Sequence, residues 1–244
     1  MILIKIKFDF LKTAFTTNKL QMIKSQQNTA ISVLMATYNT PFQMAKRAID
    51  SVLDQDFKDF ELIILDDGSD SYTSAKLLEY VQNFDNKISY FRHKNRGQSS
   101  SINRGIRLSN SAYISIIDAD DQYKPNHLST CLRAMTDYDL IATHTDTVVD
   151  DFQDYFVPDK YDNNNNIHVD DCILFATLFG KREVFTNNIF QNKYSADSEF
   201  FEKASQNYKV SKLSTRTYIY YRNNGNSITA NMKIRNAFYT QASL

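Results

Sequence analysis

Phe60-Glu-Leu-Ile-Ile-Leu-Asp-Asp-Gly-Ser-Asp70 holds the reading that decides the fold: an apolar run of strand length stops abruptly at two carboxylates and a glycine. The run is followed by Ala75, Leu77, Leu78 and Val81 at helical spacing, so a strand buried on both faces gives way to an amphipathic helix. The same rhythm precedes it. Ile31-Ser-Val-Leu-Met35 is a β-branched apolar run, Thr40-Pro41 predicts a capped helix start, and Ala45, Ile49, Val52 and Leu53 mark a helix face. It also continues downstream, with a third strand over Ile88 to His93, a helix over Gln98 to Leu108, and a fourth strand, Tyr113-Ile-Ser-Ile-Ile117, running into Asp118-Ala-Asp-Asp121. Strands separated by helices predict an α/β fold: one Rossmann-like domain with a mostly parallel central sheet flanked by helices.

The second half is more polar and less regular. Asp146, Asp150, Asp151, Asp154, Asp159 and Asp162 precede an Asn run over 163–166, which predicts a long surface loop. Beyond it, Cys172 to Phe179 is apolar, Asp197 to Ala204 reads as helical and Thr217 to Tyr221 as a late strand. At the start, residues 1–30 carry five lysines against Asp9 alone. Two readings of this basic leader stay open: a frayed extension ahead of Met22, or a membrane-surface tether giving peripheral contact with the inner membrane face.

Composition removes several classes. Lys and Arg number 28 against 28 Asp and Glu, so there is no general pull on a phosphate backbone and nucleic acid is not an expected partner. Cys131 and Cys172 form no C-x-x-C pair, which suits a reducing, cytoplasmic setting. Four histidines without H-E-x-x-H spacing give zinc no support. Loops beginning at Asp67 or Asp118 lack the glycine and glutamate of a calcium loop, and neither a P-loop nor a G-x-G-x-x-G fingerprint is present.

In an open parallel sheet, ligands bind beyond the carboxyl ends of strands. The residues at those ends, Thr37-Tyr38-Asn39, Asp66-Asp67, Arg96-Gly97 and Asp118 to Asp121, should therefore share one rim. Three carboxylates in four residues repel one another unless a cation compensates, and hard Mg2+ or Mn2+ with substrate phosphate suits such a cluster.

These residues resemble the inverting family 2 glycosyltransferases of the GT-A fold. Ile31 to Asn39 resembles the family's opening strand, Phe60 to Ser69 its second, Asp118-Ala-Asp-Asp121 its D-x-D motif, Asn95-Arg-Gly97 through Asn103-Arg-Gly105 the helix before it, and Ser195-Ala-Asp-Ser-Glu-Phe-Phe201 its catalytic-base segment. The resemblance covers Ile31 to Thr229 and implies a glycosyltransferase domain over 31–229, with a nucleotide-sugar half (31–121), an acceptor half (122–229) and a tail over 230–244.

It implies inverting, metal-dependent transfer from a nucleotide-diphosphate sugar, UDP-linked, to a glycan or lipid-linked acceptor, with Mn2+ or Mg2+. Tyr38 matches the aromatic that packs on the base, Asp67 the carboxylate that reads the uracil N–H, and Asp118 a ribose neighbour. Thr37, Asn39, Asp66, Arg96, Gly97 and Asn103 are counted with them, Asp66 turning inward to support the loop because neighbours in an extended segment face opposite ways. Asp120 and Asp121 match the metal pair, and which of the two coordinates stays open. Asp197 matches the base; Glu199 is the alternative, about 200° away on a helix, so only one can face the site. Arg222 resembles a basic position that meets the diphosphate.

Without tryptophan, the Q-x-x-R-W signature of processive synthases is absent, and no stretch reaches spanning length, which predicts a single-addition enzyme. Phe175, Phe179, Phe185 and Phe190 fall in the acceptor half, most of them expected in the core. A sugar-phosphate nucleotidyltransferase ranks behind, since no glycine follows the first strand; a non-catalytic binding module of the same fold is the other alternative.

Overall fold

A computed structural model describes residues 22–23, 29–84, 86–162, 165–193 and 195–223. In chain order the strands are β1 (Met22–Ile23), β2 (Ile31–Thr37), β3 (Phe60–Asp66), β4 (Ile88–Arg92), β5 (Tyr113–Asp118), β6 (Gln122–Tyr123), β7 (Leu140–Val148), β8 (Phe156–Pro158), β9 (Asn166–His168), β10 (Leu178–Lys181) and β11 (Val210–Tyr221). The helices are α1 (Phe42–Leu53), α2 (Ser71–Val81), α3 (Gln98–Leu108), α4 (His127–Ala134), α5 (Arg182–Asn187) and α6 (Ala196–Ser205).

Among the described residues, nine strands form one sheet in the order β1-β4-β3-β2-β5-β10-β7-β11-β6. The segment β4-β3-β2-β5 is parallel throughout, β10 enters antiparallel between β5 and β7, and β11 runs parallel to β7. The expected mostly parallel α/β sheet is therefore present, with β1, β10 and β6 running against the rest.

Alternation along each strand divides the core. Ile31, Val33 and Met35 of β2 pack with Phe60, Leu62 and Ile64 of β3 beneath α1, α2 and α4, while Leu34, Ile63 and Leu65 meet α3, α5 and α6 on the other face. Both faces are covered, which is why these strands read as unbroken apolar runs.

The register fixes where a site can form. Thr37 pairs with Asp66, Ala36 with Asp118 and Asp66 with Arg92, so the carboxyl ends of β2, β3, β4 and β5 finish level. After β4 the chain crosses back to the opposite side of β2 through α3, and this reversal opens a crevice above β2 and β5.

Two expectations are corrected here. Thr40 does not cap α1: Pro41 occupies that position, and the Thr40 hydroxyl accepts instead from Thr37 at 3.1 Å. The acidic second half is not one long loop, because β8 and β9 pair there as a short antiparallel ladder, Val157 opposite Ile167. Met22–Ile23 adds an antiparallel edge to β4, whose outer backbone groups need partners. Residues 1–21 and 24–28, and the tail over 230–244, lie outside the described residues.

Candidate active site

A cavity of about 1030 Å3 sits over the level strand ends, at the upper end of the roughly 300–1,000 Å3 usual for small-molecule sites. Thr37, Tyr38, Asn39, Asp67, Gly97, Asp118, Asp120, Asp121 and Asp197 all line it. Nine positions spread over 160 residues of sequence converge there because register brings the strand ends together and α6 closes the far wall.

The first two loops brace one another. Asn39 has positive φ, its N–H donates to Ser69 Oγ at 2.9 Å, and its side-chain oxygen accepts from Asp70 N at 2.7 Å. Tyr38 next to it is left 54% exposed at the cavity rim, an aromatic face held on a rigid turn.

Asp66 and Asp67 divide as adjacent strand residues must. Asp66 is fully buried and accepts from Ser69 N at 2.8 Å, Ser74 Oγ at 2.6 Å and the Tyr90 hydroxyl, so it supports the loop from beneath and does not reach the cavity. Asp67 lines the cavity while its two oxygens accept from the Arg96 and Gly97 amides, each at 2.8 Å. A carboxylate has about four acceptor positions, so these bonds orient Asp67 without exhausting it.

The acidic turn is supported from β11. Asp121, 1% exposed, accepts from the Tyr218 hydroxyl at 2.6 Å and from Tyr221 N at 2.8 Å. Gln98 Nε2 donates to Asp118 Oδ1 at 2.6 Å. Burial, and then the neighbouring Asp120 and Asp197 carboxylates, push Asp118 up to about 7, and burial raises Asp197 as well. The cavity thus concentrates more negative charge than its own side chains compensate.

On α6, Asp197 points into the cavity and is fixed by Phe175 N, which donates to Oδ2 at 3.0 Å. Glu199 turns away and pairs with Lys193 at 2.7 Å, as the helical angle requires.

Four other expected positions are not brought to the lining. Arg96 lends its amide to Asp67, but its side chain is exposed outside. Asn103 is a clamp between segments: its side chain donates to Phe190 O at 2.8 Å and accepts from Phe190 N at 3.0 Å. Asp66 is sequestered as described, and Arg222 lies behind Tyr220. Arg222 is only 9% exposed, its bonds to Tyr220 Oη and Phe156 O are long at 3.4 and 3.5 Å, and it has no carboxylate partner among the described residues. Phe175, Phe179, Phe185 and Phe190 are all buried, and Phe175 also lines the cavity.

Sequence reading missed Gln98, Tyr218, Tyr221 and the β8–β9 wall. Tyr218 and Tyr221 lie about 100 residues from Asp121, and nothing local marks them. Among the described residues no group of three or more His, Cys, Asp or Glu forms a ready metal cage, and no helix is long and apolar enough to cross a membrane.

Comparison with known proteins gives a concordant picture. The family model "Glycosyl transferase family 2" matches residues 32–193. WcaA of Escherichia coli K12, assigned by name to colanic acid biosynthesis as a glycosyl transferase, is 31% identical over 191 residues, spanning 76% of this chain and 66% of that protein. Staphylococcus aureus TarS 1–349, solved with UDP, superposes with a TM-score of 0.62 at 18% identity over 78% of this chain and 60% of that one. The Pyrobaculum calidifontis mannosyltransferase PcManGT, solved with GDP-Man and Mn2+, gives 0.64 at 15% identity over 95% of this chain and 68% of that one. Other curated relatives are longer, and the matched part of the chain spans only 16% to 43% of their length.

Proposed function

The chain belongs to glycosyl transferase family 2 and has the GT-A fold, and from that premise we propose that it transfers a sugar from a UDP-linked donor to a glycan or lipid-linked acceptor hydroxyl, with inversion, using a divalent cation. The observation that carries the reading is the convergence of Tyr38, Asp67, the acidic turn and Asp197 on one cavity of about 1030 Å3.

In this reading Tyr38 stacks on the base and Asp67 uses its remaining acceptor capacity on the base N–H. Asp197 is the general base. Burial raises its affinity for a proton, which strengthens it as a base, and the Phe175 amide holds its carboxylate in place. It takes the acceptor's proton as the acceptor oxygen attacks the anomeric carbon opposite the departing diphosphate.

The donor set fits a hard dication. Asp118, raised to about 7 beside Asp120 and Asp197, marks uncompensated negative charge, and a Mg2+ or Mn2+ site is typically completed by substrate phosphate rather than by a full protein cage. Asp120 and Asp121 would hold the ion: both line the cavity, and the two bonds that Asp121 accepts from β11 orient it without exhausting its acceptor positions. When bound, the ion supplies positive charge to the departing diphosphate. Arg222, buried against Tyr220 and outside the cavity lining, is given no contact with the diphosphate in this reading. The relative named for colanic acid biosynthesis supports an acceptor that is a growing polysaccharide. A reducing setting and peripheral contact with the inner membrane face belong to the same proposal.

Calorimetric titration of UDP into wild type and Asp120→Ala, with and without Mn2+, tests this. Metal-dependent binding to the wild type that is lost in the variant is expected. Binding indifferent to both changes would overturn the reading.

A further inference from the structure

Arg47, Ser51 and Gln55 recur every four residues along α1 and just past its end, so they form one polar stripe on a helix otherwise buried through Ala45, Ala48, Ile49 and Val52. Each grips main chain in or just after the acidic turn. Arg47 Nη2 donates to the Asp120 carbonyl oxygen. Ser51 Oγ accepts from Tyr123 N at 3.1 Å, and Gln55 Nε2 donates to Lys124 O at 2.8 Å while its Oε1 accepts from Leu128 N at 2.9 Å.

Arg47 makes a second contact. Its guanidinium lies 3.6 Å from the ring centroid of Tyr221, the residue whose N–H donates to Asp121 Oδ1. One side chain thus ties the Asp120 backbone to the strand that holds Asp121. Among the described residues no carboxylate lies within ion-pair distance of Arg47, and its Nε is buried without a hydrogen-bond partner. An unpaired buried N–H costs free energy, so the fold keeps this guanidinium for its fork and its flat face rather than for a counter-ion.

We infer that Arg47 is the positioning residue of the acidic turn: it sets the Asp120 main chain so that the Asp120 carboxylate can meet a dication. The inference rests on the proposed metal-dependent donor site. Two physical roles for the residue predict opposite results. If Arg47 acts by geometry, lysine cannot replace it, because an ammonium lacks the planar fork that binds a carbonyl and stacks on a ring together. If it acts only by charge, lysine suffices, and deleting the charge tightens cation binding by removing a repulsion.

The test titrates Mn2+ into the full chain at saturating UDP, following free Mn2+ by electron paramagnetic resonance, and titrates UDP separately without metal. Arg47→Met and Arg47→Lys should each weaken Mn2+ by about 10- to 100-fold, the usual effect of removing a partner that orients a metal ligand. Metal-free UDP affinity should stay within twofold of wild type. Tyr221→Leu, which keeps the backbone N–H but removes the ring, should weaken Mn2+ in the same direction, and should add little in an Arg47→Met background. Near-wild-type Mn2+ affinity in Arg47→Lys, or tighter binding in Arg47→Met, overturns the inference while leaving the donor site standing. Absence of UDP-linked Mn2+ binding in the wild type overturns both.

Discussion

The Tyr218 hydroxyl donates to Asp121 Oδ2 at 2.6 Å and accepts from Asp118 N at 3.3 Å, so one buried phenol joins the two ends of the acidic turn. Tyr218 also meets Tyr123 edge to face at 5.7 Å, and Tyr123 stacks on His127 at 3.9 Å. Burial lowers His127 to about 3, which keeps it neutral, and its Nδ1 lies 2.8 Å from Thr217 Oγ1. The turn therefore rests on an aromatic and hydrogen-bonded block built from β6, α4 and β11.

Tyr218→Phe should keep the packing and remove one partner from a buried carboxylate. Leaving Asp121 with fewer hydrogen bonds costs about 1–3 kcal/mol. A urea titration should show a lower midpoint at unchanged slope, and an unmoved midpoint would mean that the bond contributes nothing net.

Asp118 contributes to the pH profile of the metal-free protein beside Asp121 and Asp197, which burial also raises. Its folded value of about 7 stands above the roughly 3.9 of an unfolded aspartate. Between those values the folded chain keeps a proton that the unfolded chain has lost, so the stabilising contribution is full below about 4 and disappears as pH rises through about 7. Asp118→Asn should flatten the melting-temperature profile over that interval and raise the Tm at pH 8 in chelator. Identical slopes for the two proteins would contradict this.

Two glycines carry positive φ at the rim, and they should differ. A Cβ on Gly68 would come within 2.7 Å of Asn95 N and 3.0 Å of His93 O, both main chain, whereas on Gly97 it would meet the Asn192 side chain at 3.1 Å. Backbone strain of about 1–3 kcal/mol applies to each, but only at Gly68 must another loop move as well. Gly68→Ala should lower the Tm more than Gly97→Ala; the reverse order would show that the Asn95 loop yields easily.

Asn103→Ala should separate stability from donor binding. Both of its bonds go to the Phe190 main chain, so the loss should cost about 1–3 kcal/mol, with UDP affinity unchanged. A UDP affinity reduced tenfold would return Asn103 to the donor site.

What the sequence by itself determined was periodic or contiguous. Apolar runs alternating with helix faces specified the α/β sheet, because a strand buried on both sides and a helix buried on one side have different periods. Carboxylates at the ends of Phe60–Asp66 and Tyr113–Asp118 specified the rim, since parallel strands place their ends together. The helical reading of 197–204 already allowed only one of Asp197 and Glu199 to face a ligand. Tertiary structure alone decided that Asn103 clamps Phe190 rather than lining the cavity, and that Tyr218, Tyr221 and Arg47 hold the acidic turn. Those contacts join residues about 70 to 100 positions apart. Their partners are set by strand order, by register and by the antiparallel entry of β10, which result from the packing of the whole sheet and leave no mark in any local pattern.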